Sequence, residues 1–165
     1  MSKILITGGC GFIGANTAEF YLKKGYEVVV IDNLSRVGSE HNLVWLKSLK
    51  GKFSFQNIDI RNYESILKVF KKETPDLVLH LASQTTVTGS IINPREDFEI
   101  NALGTFNVLE AIKNASPKSS LIYSSTNKVM GDLSSIPIKE EKTRYVFKTV
   151  KGISEKQPLE FCSPY

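Results

Sequence analysis

The amino-acid sequence predicts an α/β fold, a doubly wound parallel sheet with helices on both faces. Two observations carry this. Short apolar runs alternate with helix-period segments as far as Gly131, and a glycine cluster sits between the first apolar run and the first helix. Strand–helix–strand alternation with right-handed crossovers orders five strands 3-2-1-4-5. No sixth strand is evident, so the expected sheet stops after about strand 5.

The first 32 residues read as one βαβ unit. Lys3-Ile4-Leu5-Ile6-Thr7 is a strand, and Gly8, Gly9, Gly11 and Gly14 make the turn into a helix. Val28-Val29-Val30-Ile31 is the second strand and stops at Asp32. Glycine lets the chain turn sharply and lets backbone N–H groups approach a pyrophosphate with no Cβ in the way. The helix aims its positive end at the phosphates. An acid ending the second strand accepts hydrogen bonds from the adenosine ribose hydroxyls. A dinucleotide site is therefore expected here, against the alternative of a tight βα turn with no ligand.

The later elements follow in order. A loop over residues 33–39 leads to a short helical stretch around His41 to Leu49, and Phe53 to Ile58 reads as a strand ending at Asp59. Asn62 caps a helix in which Tyr63, Ile66, Leu67 and Phe70 fall at helical spacing. Leu77-Val78-Leu79-His80-Leu81 is apolar enough to be buried on both faces. Asn93-Pro94 starts a helix with proline in its first turn. From there Phe98, Ala102, Phe106, Leu109 and Ile112 are expected to trace one face of a long helix. Leu121-Ile122-Tyr123 forms the fifth strand and opens into Ser124-Ser125-Thr126. Residues 132–164 are mostly polar, with three prolines and no sustained periodicity. The expected organisation is a dinucleotide-binding domain over 1–131 and a loop region over 132–165.

Composition excludes several classes. A 165-residue chain with 41% hydrophobic and 23% charged residues is ordinary for one globular domain. The net charge of +4 comes from scattered lysines, which reads as solvated helix faces and predicts no nucleic-acid partner. No run approaches a transmembrane length, so no membrane partner is expected. One Lys and a four-residue apolar run make no signal peptide, so a cytoplasmic location is expected. Cys10 and Cys162 lack metal-ligand spacing, so neither a metal site nor a disulfide is expected.

TGGCGFIG at 7–14, Asp32-Asn33-Leu34-Ser35-Arg36, Asp59-Ile60-Arg61, His80-Leu81-Ala82, Asn101-Ala102-Leu103-Gly104-Thr105 and Tyr123-Ser124-Ser125-Thr126 together carry a resemblance. The chain resembles the extended short-chain dehydrogenase/reductases that act on nucleotide-sugars, whose fold is of the Rossmann type. DNLSR, the 42–46 stretch, DIRN, DFEIN at 97–101, SSTNKV at 124–129 and GDL at 131–133 narrow it. With Thr143-Arg144-Tyr145 and Ser163-Pro164-Tyr165, they resemble the CDP-tyvelose (CDP-paratose) 2-epimerases. The likeness runs through the whole chain but corresponds to about the N-terminal half of such an enzyme.

The resemblance implies roles residue by residue. Gly8, Gly11 and Gly14, with Phe12 and Ile13, match the coenzyme loop. Asp32 matches the ribose-binding acid and implies NAD rather than NADP, because a 2′-phosphate would be repelled by the carboxylate. Asn33, Ser35 and Arg36 follow it in the same loop. Asp59 and Ile60 match the pair flanking adenine, with a strand-end cap as the alternative for Asp59. Leu81, Ala82 and Ser83 match a loop running along the cofactor toward the nicotinamide, Asn101 a helix asparagine supporting the active site, and Ser124 the end of strand 5. His80 reads as a structural core histidine. Thr126 matches the hydroxyl that bonds the sugar, and Tyr165 the catalytic tyrosine of a YxxxK motif. In that motif a lysine four residues later lowers the phenol's pKa and holds the nicotinamide ribose. Met130 stands where the family usually has the tyrosine of V-Y-G.

The implied activity is transient oxidation at sugar carbon 2 of a CDP-hexose, with the hydride returned to the other face. This chain alone is expected to bind NAD without turnover. A nucleotide-sugar 4-epimerase, a 4,6-dehydratase, or an NAD-binding module without catalysis are the alternatives. The apolar residues of the long helix and the edge of the fifth strand imply a homo-oligomer.

Overall fold

In the computed structural model, β1 (Lys3–Thr7), β2 (Glu27–Asp32), β3 (Lys52–Asn57), β4 (Leu77–His80) and β5 (Ser120–Tyr123) form one parallel sheet. Its order is β3-β2-β1-β4-β5, as the alternation predicts. The structure describes residues 2–126, 129–131 and 133–156. These fall into two compact units, Met1–Ser124 and Ser125–Tyr165.

The first unit is layered on both faces of its sheet. Successive strand side chains point to opposite sides, so a strand covered on both faces must be apolar throughout. Ile4, Ile6, Val28 and Val30 pack on one face with Ala15, Ala18 and Leu22 of α1 (Phe12–Lys23) and Leu43 and Leu46 of α2 (Ser39–Ser48). Leu5, Val29, Ile31 and Val78 pack on the other with Ile66, Val69 and Phe70 of α3 (Tyr63–Glu73). Fully burying a side chain such as Ile66 or Phe70 contributes roughly 1.5–3 kcal/mol. Asn62 caps α3 by accepting from the Ser65 N–H at 3.0 Å, and Asn93 caps α5 (Pro94–Phe98) by accepting from the Glu96 N–H at 3.2 Å.

The long helix expected from residue 94 onward is interrupted. After α4 (Val87–Ile92) and α5, a π-helical turn over Glu99–Leu103 precedes α6 (Gly104–Ala115). α6 buries Gly104, Asn107, Val108 and Ala111, the i, i+3, i+4, i+7 face of its own helical period. Phe98, Ala102, Phe106 and Leu109 are exposed, so the apolar face expected along these residues is present and is not covered within this chain.

The second unit corrects another expectation. Residues 132–164 are not wholly irregular: β6 (Ile138–Glu140) and β7 (Tyr145–Phe147) form an antiparallel hairpin. It is closed by the Glu141 N–H donating to the Arg144 carbonyl at 2.9 Å. Strands of three residues are too short to show a period of two.

Candidate coenzyme site

The carboxyl ends of β1, β2, β3 and β4 meet at one edge, and β1 is where the chain reverses its direction of winding. Open α/β sheets bind ligands at that switch point. The glycine loop there has a divided labour. Gly8 has φ +67°, and a Cβ on it would lie 2.7 Å from the Ala82 backbone nitrogen. At Gly14 a Cβ would overlap the Gly8 carbonyl oxygen and the Gly9 Cα. Those two glycines are required by the chain itself. Gly11 is different: a Cβ there meets, among the described residues, only the Gly8 carbonyl oxygen at 3.3 Å.

Gly11 stands just before α1 with φ −70° and ψ 173°, and no described side chain caps that helix. The leading N–H groups of a helix lack partners inside it, and here they belong to Phe12, Ile13 and Gly14. Phe12 and Ile13 are both exposed. Cys10, by contrast, is buried in the core, and burial beside Asp32 pushes its thiol up to about 12. An open, uncapped helix start at a glycine fits a pyrophosphate.

Asp32 ends β2 half-buried and is oriented by backbone donors. Its Oδ2 accepts from the Cys10 N–H at 2.9 Å and its Oδ1 from the Leu34 N–H at 2.8 Å. A carboxylate has about four lone-pair sites, so two remain for ribose hydroxyls. Asn42 of α2 donates to the Cys10 carbonyl at 2.8 Å and ties the same loop from behind. Nothing in the periodicity marks Asn42, because its partner is a backbone atom 32 residues away.

Beyond Asp32, Ser35 N–H donates to Asn33 Oδ1 at 3.1 Å, and Arg36 Nη1 donates to Thr85 Oγ1 at 2.9 Å. Asp59 accepts four bonds: from Asn33 Nδ2, and from the Arg61 backbone N–H, Nε and Nη2, all between 2.7 and 3.0 Å. The Arg61 guanidinium accordingly holds its carboxyl down at about 2. Ile60 is buried against α6, where Gly104 gives it room, and Asn107 Nδ2 donates to the Ile60 and Arg61 carbonyls at 3.0 Å each. Asn107 sits in a helix as one more polar residue, and its role shows only when α6 is packed.

The β4 side is organised around His80, which is 1% exposed and stacks on Tyr123. Its Nδ1 lies 2.6 Å from Thr7 Oγ1 and its Nε2 3.0 Å from Thr105 Oγ1. Thr105 Oγ1 donates to the Asn101 carbonyl at 2.6 Å, so it accepts from Nε2–H. Nδ1 then accepts from Thr7, whose oxygen in turn accepts the Leu81 and Ala82 N–H groups. Burial pushes the imidazole down to about 4. Asn101, in the π turn, holds the loop after β4: its Oδ1 accepts from Gln84 N–H at 2.9 Å and its Nδ2 donates to Gln84 O and Asp97 Oδ1. Ser83 is exposed beside them.

Thus Gly8, Gly11, Phe12, Ile13, Gly14, Asp32, Asn33, Ser35, Arg36, Asp59, Ile60, Leu81, Ala82, Ser83 and Asn101 all sit on strand ends, loops or helix starts at the carboxyl edge of one sheet, or on the π turn that braces it. Ser124 continues β5, its N–H donating to the His80 carbonyl at 3.3 Å. Thr126 belongs to the second unit, where its carbonyl accepts from Val129 N–H. Tyr165 lies outside the described residues, as does Cys162. Among the described residues no helix is long and apolar enough to cross a membrane.

This sheet order, with its glycine loop and strand-ending acid at the switch point, defines a Rossmann-type dinucleotide-binding fold. The chain belongs to the nucleotide-sugar epimerase/dehydratase family: the family profile described as GDP-mannose 4,6 dehydratase matches residues 5–148. It is 49% identical over 164 residues to CDP-paratose 2-epimerase of Salmonella typhi, which covers 99% of this chain and 48% of that protein. The UDP-Glc/GlcNAc 4-epimerase structure from Campylobacter jejuni superposes with a TM-score of 0.81 at 30% identity, covering 100% of this chain and 45% of that one. A Thermus thermophilus UDP-glucose 4-epimerase, solved with NAD, gives 0.74 at 31% identity over 99% of this chain and 46% of that one. The chain spans about half the length of the relatives it matches.

Proposed function

We propose that the chain binds NAD across the carboxyl edge of its sheet and is the coenzyme-binding part of a nucleotide-sugar 2-epimerase of the CDP-paratose to CDP-tyvelose type. One observation carries the coenzyme reading: Gly11, which the chain itself demands far less than Gly8 or Gly14, stands at an uncapped helix start, and Asp32 retains acceptor sites at the end of the next strand. NAD, when bound, accepts a hydride from the sugar and returns it within one turnover.

Residues of this chain take the following parts. The N–H groups of Phe12, Ile13 and Gly14 bind the pyrophosphate, and Asp32 binds the adenosine ribose and disfavours a 2′-phosphate. Asp59 has four donors on its carboxylate, so an adenine amino group takes the place of one of them, and exposed Asn33 is the partner most easily displaced. Thr126 bonds the sugar hydroxyl that loses its proton, and Tyr165 receives that proton as phenolate.

The 49% identity to a CDP-paratose 2-epimerase supports carbon 2 of a CDP-hexose as the reacting centre. Oxidation at carbon 4 is the second reading, favoured by the UDP-glucose 4-epimerases among the relatives, such as that of Neisseria meningitidis serogroup B at 35% identity. Because the chain spans about half the length of such enzymes, we expect NAD binding without turnover from these 165 residues alone. We also infer self-association, supported by exposed Phe98, Phe106 and Leu109 and by exposed Ile122 and Tyr123 on β5. Calorimetry with NAD and NADP tests the coenzyme reading, and tighter NADP binding overturns its NAD preference. Incubation of the chain and NAD with CDP-paratose or UDP-glucose, followed by sugar analysis, tests turnover. Light scattering over a concentration series tests association, which a sharp monomer at high concentration refutes.

A further inference from the structure

We propose that His80 is a positioning residue for the loop after β4, holding both ends of residues 81–84 through two hydroxyl relays, Thr7 on one side and Thr105 on the other. This rests on the NAD reading above.

The relays are directional. Thr7 Oγ1 accepts the Leu81 N–H at 3.2 Å and the Ala82 N–H at 3.3 Å, so its single proton goes to His80 Nδ1, 2.6 Å away. On the opposite side of the ring, Nε2–H donates to Thr105 Oγ1, whose proton goes to the Asn101 carbonyl. Asn101 then grips Gln84 at both its N–H and its carbonyl. One neutral imidazole tautomer therefore satisfies every member from the end of β1 to the π turn. The opposite tautomer would set two donors against each other at Thr7, and would leave Nε2 facing a hydroxyl whose proton is already committed.

The loop so held lies where the other half of a dinucleotide would go. Asp32 and Asp59 stand beyond β1 on the β2–β3 side, and the β4 loop stands on the far side of β1. A ligand with its adenosine on Asp32 that crosses the switch point brings its second nucleoside to residues 81–84. Ala82 is also the backbone against which Gly8 fits, so the start of the loop cannot shift without pressing on the glycine turn. Its far end, at Gln84, is gripped by the Asn101 side chain beside Gln84's own bonds to Thr86 and Ser90, and Thr105 braces the backbone that carries Asn101.

The test separates positioning from stability. Thr105→Val keeps the side-chain shape and removes the relay, and Thr105→Ser restores a hydroxyl. NADH is titrated by its fluorescence and ADP by calorimetry, on the parent and both variants. The expected result is NADH binding about tenfold weaker in Thr105→Val, ADP binding unchanged, and NADH binding recovered in Thr105→Ser. If NADH and ADP weaken together, or neither weakens, the proposal is wrong. Nitrogen-15 NMR of the parent gives a reading that needs no variant: Nε2 protonated and Nδ1 bare near neutral pH is expected, and the reverse overturns the relay. A parent that binds neither ligand while showing the expected tautomer refutes the coenzyme reading and leaves His80 as a structural residue only.

Discussion

The two flanks of the switch point are built by different means. On the β2 side, the glycine turn and Asp32 are joined by contacts within the first βαβ unit: Gly8 N–H to the Ile31 carbonyl, Cys10 N–H to Asp32, Gly14 against Gly8. On the β4 side, the main ties run through side chains far apart in sequence, with His80 reaching back 73 residues to Thr7 and forward 25 to Thr105. The first flank is steric and local, and glycines enforce it. The second is polar and long-range, and one imidazole organises it. Damage to the first should therefore show as misfolding or lost binding, whereas damage to the second should depend on pH.

Several substitutions can break that contrast. Gly14→Val should have the largest effect: its Cβ overlaps backbone of the glycine turn, so a loss of at least about 4 kcal/mol is expected, read as a collapse of the denaturant midpoint. A variant that folds normally would show the turn to be far softer than its contacts suggest.

The β4 flank comes next. His80 titrates near 6.5 in an unfolded chain and is pushed down to about 4 in the folded one. The unfolded state therefore takes up the proton first as pH falls. The stability from neutral His80 is whole above pH 6.5 and is lost as pH drops through that window toward 4, amounting to about 3 kcal/mol. Urea midpoints from pH 7 to pH 4 should fall more steeply for the parent than for His80→Gln. Equal slopes would remove His80 from the account.

Gly11→Val sharpens the other side. Backbone angles of −70° and 173° suit valine, and its Cβ meets only the Gly8 carbonyl oxygen at 3.3 Å among the described residues, so the melting temperature should fall far less than in Gly14→Val while NAD affinity drops at least about hundredfold. Unchanged affinity would make Gly11 merely part of a turn. Asp32→Asn should weaken NAD by about tenfold and narrow its margin over NADP, read by calorimetry. The smallest effect is a control from the opposite edge of the sheet. Thr74 ends α3 at φ +40°, a conformation costly for a β-branched residue, and Thr74→Gly should stabilise by up to about 1 kcal/mol without touching NAD binding.

Much of the first flank could be read in advance because its signals are adjacent in sequence: a strand, glycines at fixed offsets, a helix and an acid. Asn62 and Asn93 were equally readable, since a cap and its N–H donor lie three residues apart. Asn42 and Asn107 were not. Each donates to backbone carbonyls more than thirty residues away, and no local pattern distinguishes such an asparagine from a solvated one. The π turn over Glu99–Leu103 illustrates the same limit, because it leaves no mark on apolar spacing.

What the sequence determined by itself was the set of short-range constraints: the strands and most helices of the first unit, the parallel order of five strands, and the glycines and acid of a dinucleotide turn. Backbone sterics and side-chain periodicity act over a few residues, so they are written directly in the order of amino acids. The tertiary structure alone decided that Gly8 and Gly14 serve the chain while Gly11 is left open, that a π turn carries Asn101 to Gln84, and that His80 joins two hydroxyls in one tautomer. These depend on groups brought together from distant strands in a dry interior, where each buried donor must find an acceptor.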